Sequence, residues 1–161
     1  MSNIGGEEGC PFCEIVARDD PDAREVYRDE HTVAFFPTEP AVLGHTMVIP
    51  RSHVPDIWKL DEPTAQQLSI TTLRIAKAIE ESLHPDGLNI IQSNGEAASQ
   101  SVMHVHIHLV PRYANDRIGR IWPPESNYSE AQKDDAWKVL REACGTIGSA
   151  ATPVARPRRG A

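Results

Sequence analysis

Three histidines stand at alternate positions in His104-Val105-His106-Ile107-His108-Leu109-Val110. Imidazole titrates near neutral pH and can serve as nucleophile, acid, base or metal ligand. In an extended strand alternate side chains share a face. The three rings would therefore line one face, with Val105, Ile107 and Leu109 filling the other. The plain alternative is a polar strand face that happens to be rich in histidine. A second cluster, Cys10-Pro11-Phe12-Cys13, spaces two thiols so that they can share one metal ion. A thioredoxin-type redox pair has the same spacing but needs a strand before it and a helix after it. No strand fits ahead of Cys10. By itself the cysteine pair is half a zinc site, and its worth depends on two further ligands.

Other candidates surround the histidines. His45 and His53 bracket an apolar stretch from Thr46 to Pro50. Asn94-Gly95-Glu96-Ala97-Ala98-Ser99-Gln100-Ser101 runs directly into the histidine segment. Such a loop offers backbone N–H groups and short polar side chains, which suit phosphate oxygens. An ordinary strand connection is the alternative.

The elements that must position these groups are legible from period and punctuation. Strands are predicted at about residues 25–28, 32–36, 45–50, 88–93 and 103–110, with Asp29-Glu30-His31 as a tight turn. Leu68, Ile70, Leu73, Ile75, Ala76 and Ile79 recur near a 3.6-residue period, which predicts a long helix over 62–83. Asp61 caps its start and His84-Pro85-Asp86-Gly87 ends it. A short helix is expected at 14–18 and a final one at 129–145, with Ser129 as its cap; 114–128 is irregular. The fold class expected is α+β: a five-stranded antiparallel sheet with one long helix, plus a C-terminal helix. Residues 1–9 read as a flexible lead-in, 10–147 as the domain, and 148–161 as a disordered basic tail.

Composition bounds the function. The 161 residues suffice for one domain with a real core. A net charge of −7 argues against binding a nucleic acid polymer, though not against a nucleotide as a small ligand. No apolar run approaches the ~20 residues needed to span a bilayer. No signal peptide is evident, and three cysteines do not make a disulfide framework. A cytoplasmic location is expected.

Together these motifs resemble the histidine triad (HIT) family of nucleotide hydrolases and transferases. The resemblance rests on the alternating histidines of His104–Val110 and on Gly44-His45-Thr46-Met47-Val48-Ile49-Pro50-Arg51-Ser52-His53. Asn94-Gly95 with Gln100-Ser101-Val102 just ahead of the triad adds to it, and Cys10-Pro-Phe-Cys13 and Val110-Pro-Arg-Tyr fit the bacterial type. It covers about residues 10–113. It implies that His106 attacks the α-phosphorus of a nucleotide and that water releases the covalent nucleotidyl-histidine. It implies that His108 contacts the phosphate, that His45 supports His108, and that Asn94, Gln100 and Ser101 donate to phosphate oxygens. It implies a structural zinc ion on Cys10, Cys13, His53 and His104, and a homodimer formed through the long helix and the 88–93 strand.

One position departs from the family pattern. Many members carry an aspartate after the 32–36 strand to hold the ribose; here that position is Pro37, with Glu39 as a possible substitute. Phe12, Ile15, Phe35 and Phe36 are candidates for an apolar base slot, Phe35 being better suited to the core. The reading is an enzyme acting on a dinucleoside polyphosphate or a nucleoside phosphoramidate. A nucleotide-binding module with little turnover is the alternative, and a protein whose triad itself binds metal a third.

Overall fold

A computed structural model describes residues 6–18 and 20–147 of the chain. The expectations for residues 1–5 and for the tail at 148–161 lie outside the described residues. The chain divides into two units, one ending at Gly119 and the other beginning at Arg120. In the first unit α1 (Pro11–Ala17) is followed by β1 (Arg24–Arg28), β2 (Thr32–Phe36) and β3 (Thr46–Pro50). Then come α2 (Glu62–Leu83), β4 (Gly87–Gln92) and β5 (Ile107–Arg112). The second unit contains α3 (Glu130–Thr146), which opens on a reciprocal capping box between Ser129 and Gln132.

The five strands form one antiparallel sheet in the order β1-β2-β3-β5-β4. The expected α+β architecture, sheet and helices alike, is the one observed. β2 and β3 are covered on both faces, which explains why they are nearly continuous apolar runs. Val33, Phe35, Met47 and Ile49 pack with Phe12, Ile15 and Val16 of α1. Their strand neighbours Ala34 and Val48 pack with Leu68, Ile75 and Ile79 of α2. Val105 and Leu109 join the α2 side. The intervening histidines therefore fall on the α1 side, where the cysteines are.

Local chemistry sets the element ends. Asp61 accepts from Thr64 N–H and starts α2 where expected. α1 begins at Pro11, earlier than residue 14, because Pro11 takes the first helical position with Cys10 just outside it. That shift puts both cysteines at one end of the helix. Gly44 sits at φ +89°, and a Cβ there would collide with Leu83 Cδ1 and crowd Pro111. This tight turn delivers His45 to the start of β3. β5 starts at Ile107 rather than 103: its outermost rung on both sides is Ile107, paired with Val48 and with Gln92. No helix of the described residues is long and apolar enough to cross a membrane.

Candidate functional site

The backbone donors and acceptors around the histidines assign their tautomers, because a carbonyl can only accept and an amide N–H can only donate. His106 Nδ1 lies 2.8 Å from the carbonyl oxygen of His104, so Nδ1 carries the hydrogen and Nε2 keeps its lone pair. Ala41 N–H donates to His45 Nδ1 at 3.1 Å, which places the His45 hydrogen on Nε2. His45 Nε2 lies 2.9 Å from His108 Nδ1 and donates to it. His108 is left with its hydrogen on Nε2, as a donor. The rings of His106 and His108 stand 4.8 Å apart, centre to centre, at 75°. A lone pair and an N–H donor are thus presented side by side.

Burial keeps these rings neutral. It holds the pKa of His108 down at about 4, with the neighbouring His106 and His45 adding to the effect. Burial also lowers His45 and His106 below the ordinary 6.5. An unfolded chain takes up protons near 6.5, whereas folded His108 resists until about 4. Between those values the unfolded state binds more protons. The contribution of neutral His45 and His108 to stability is therefore complete above pH 6.5 and declines as the pH falls towards 4. Urea midpoints measured from pH 7.5 to pH 5 should fall, and His108→Asn should flatten that slope. Equal slopes in the two proteins would count against it.

The second cluster is built on His104, two residues before His106. Ligand atoms of Cys10, Cys13, His53 and His104 all fall within 4.8 Å of one another. His104 is fully buried and gives its Nε2–H to the Pro50 carbonyl at 2.9 Å. Its Nδ1 lone pair faces Cys10 Sγ at 3.6 Å and Cys13 Sγ at 3.7 Å. His53 turns Nδ1 to Cys13 Sγ at 3.4 Å and gives Nε2–H to the Glu7 carboxylate at 2.5 Å. Each imidazole has one nitrogen anchored by an oxygen acceptor and the other aimed inward, as metal-bound histidines do. Two thiols and two such imidazoles suit tetrahedral zinc, with no position left for water. Burial is the main force raising the Cys13 thiol, so metal uptake at neutral pH would release protons.

The remaining candidates divide. Phe12 and Ile15 are buried in the core on the α1 side, and Phe12 meets the His106 ring edge-on at 5.2 Å. Phe35 meets Phe12 edge-on at 5.4 Å. Ser101 lines a cavity of about 300 Å³ with Cys10, His53 and Met103. Asn94 Oδ1 accepts from Ile57 N–H and Gln92, and its amide nitrogen donates to Gln92 Oε1 at 2.6 Å. Gln100 is engaged by backbone groups on three sides. Its amide nitrogen donates to Pro55 O and Val102 O, its oxygen accepts from Gly95 N–H, and no hydrogen remains for a phosphate. Glu7 was hidden in a stretch without periodicity; an acid three residues ahead of Cys10 was its one sequence signal. Pro37 follows β2 at once, and Glu39 beyond it is exposed.

The site so defined belongs to an antiparallel α+β domain that pairs alternating histidines with two cysteines and two histidines that could hold a metal ion. A family model described as the HIT domain matches residues 18–115. The chain is 42% identical over 116 residues to Protein hit of Bacillus subtilis, covering 71% of this chain and 79% of that one. A solved Zn-bound histidine triad family protein from Mycobacterium smegmatis is 35% identical, with 90% of this chain and 99% of that chain covered and a TM-score of 0.66. Adenylylsulfatase HINT3 of Arabidopsis thaliana is 29% identical over 120 residues, 74% of this chain and 59% of its own length. The protein is a member of the HIT family.

Proposed function

We propose that the protein is a nucleotide hydrolase or transferase that works through a covalent nucleotidyl-His106. The observation that carries this reading is the His106 tautomer, with Nδ1–H held by the His104 carbonyl and the Nε2 lone pair left without a hydrogen-bond partner among the described residues. The Nε2 lone pair attacks the α-phosphorus and forms an N–P bond. The bond from phosphorus to the leaving amine or phosphate breaks, and the leaving group departs with the electron pair and takes a proton from solvent. Water then attacks the same phosphorus, the N–P bond returns its electrons to His106, and a nucleoside monophosphate leaves. A neutral imidazole suits both steps. His108 Nε2–H meets the phosphate oxygens as charge develops there, with His45 behind it. Ser101 and the free hydrogen of the Asn94 amide are further donors, Gln100 braces their loop, and Phe12 with Ile15 walls the nucleotide side of α1. The adenylylsulfatase name of the plant relative accords with attack at such a phosphorus.

Cys10, Cys13, His53 and His104 would hold a zinc ion. Bound there, zinc supplies a cross-link between three segments and no reacting group. A cytoplasmic location, where thiols stay reduced, suits these ligands. The test of the function is a turnover panel of adenosine and guanosine phosphoramidates against dinucleoside polyphosphates. Release of nucleoside monophosphate from either class supports the reading, and binding without release favours a nucleotide-binding module.

The proposal includes a homodimer through α2 and β4. β4 is an edge strand of the sheet, and Ile90 on it is 55% exposed. It borders an apolar groove of about 390 Å³ shared with Leu60, Leu68 and Ile107. A lone edge of this kind invites pairing. Light scattering should return twice the chain mass for the wild type and a monomer for Ile90→Lys. A monomeric wild type at micromolar concentration would refute it.

A further inference from the structure

We infer that the Cys10–Cys13–His53–His104 centre is the clamp that orients the proposed nucleophile, beyond any role in holding the N-terminus. The inference rests on the nucleotidyl-His106 reading above and adds a control on it.

His106 does not ride on the sheet. The ladder of β5 begins at Ile107 on both of its sides, so the residues just before it are held by other bonds. Val105 N–H donates to the Val54 carbonyl at 2.6 Å. The His104 ring donates to the Pro50 carbonyl at 2.9 Å. These two acceptors lie on either side of His53, itself a member of the ligand set. The cysteines approach from α1, and Phe12 between them touches the rings of both His104 and His106, at 5.8 and 5.2 Å.

His104 is the shared part. Its ring Nδ1 faces the thiols, and its carbonyl oxygen accepts the His106 Nδ1–H that sets the nucleophile's tautomer. Ring and carbonyl of one residue are joined through Cα by three torsions, χ2, χ1 and ψ, and staggered rotamers restrict the side-chain ones, so fixing the ring at both nitrogens limits where the carbonyl can point. Without a metal the ring meets the cysteines only through S···N contacts of 3.6 and 3.7 Å, which restrain it weakly. Coordination to a zinc ion shared with the two thiols would hold it far more firmly. Loss of metal therefore loosens the carbonyl, and a misplacement of about 1 Å at a nucleophile costs on the order of 100-fold in rate.

The test compares zinc-loaded wild type with Cys13→Ser, chosen because Cys13 is less buried than Cys10. Metal content, circular dichroism, kcat and KM are read together with the imidazole spectrum of ¹⁵N-histidine-labelled protein. The expected result is a folded variant with little zinc, the His106 Nδ1–H resonance lost to exchange, and kcat about 10- to 100-fold lower with KM within about 3-fold. A folded, zinc-free variant that keeps the Nδ1–H resonance overturns the clamp. If Cys13→Ser does not fold, wild-type protein titrated with chelator takes its place, and the exchange of the Val105 amide is followed against that of Ile49. Faster exchange at Val105 alone supports the clamp, and unchanged or parallel exchange overturns it. If the zinc-loaded wild type turns over no nucleotide, the functional reading fails, and the resonance and exchange data still decide the clamp.

Discussion

Replacing His106 by asparagine should abolish nucleotide release while leaving the fold intact. Asparagine can set its amide N–H where imidazole Nδ1–H now meets the His104 carbonyl, so the buried acceptor at 2.8 Å keeps a donor. What it cannot supply is a lone pair at the Nε2 position. The expected loss in kcat is at least on the order of 10³-fold, the scale on which losing a covalent nucleophile falls. Single-turnover reaction with an α-³²P-labelled phosphoramidate should leave acid-labile label on the wild type and none on the variant. A half-missing nucleophile is no explanation for retained turnover. Activity within tenfold of wild type, or label persisting on the variant, would move the chemistry elsewhere. His106 is 4% exposed and edge-on to Phe12, so the variant will lose some stability. Assays well below its melting temperature separate that loss from the chemical one.

The same residue marks how far the sequence could be followed. The alternation His104-Val105-His106-Ile107-His108 shows which side chains share a face, because that depends on local geometry alone. Val105 and Leu109 do pack towards α2, and the histidines lie on the other face. Where the ladder starts is not a local property. Val54 and Pro50, some fifty residues upstream, compete for the hydrogen bonds of Val105 and His104, and β5 opens only at Ile107. Gln100 shows the same limit. Its residue type fits a phosphate donor, but Pro55 and Val102 claim both amide hydrogens. α2 was legible to its last residue because it carries its own signals, the Asp61 cap and a long apolar period. The four metal-ligand candidates lie up to ninety-four residues apart, and only their resemblance to a known pattern could gather them before the fold did.

The second large effect lies in the chain Ala41–His45–His108, whose direction is set at one end by a backbone amide. Because Ala41 N–H can only donate, the hydrogens line up and His108 must present Nε2–H outward. His108→Asn removes that donor and should cost on the order of 10²- to 10³-fold in kcat, as loss of a preorganised donor does. His108→Gln carries an amide out to the Nε2 position and should recover part of the loss. His45→Asn keeps an acceptor for Ala41 N–H but removes the donor to His108, freeing that ring to flip or change tautomer. Its cost should be about tenfold, near 1.4 kcal/mol. If His45 acts only through His108, its effect vanishes once His108 is gone, and the double variant should be no slower than His108→Asn. Multiplicative losses would mean that His45 touches the reaction by another route. Non-additivity is the stronger outcome because ordinary destabilisation by two separate substitutions would add.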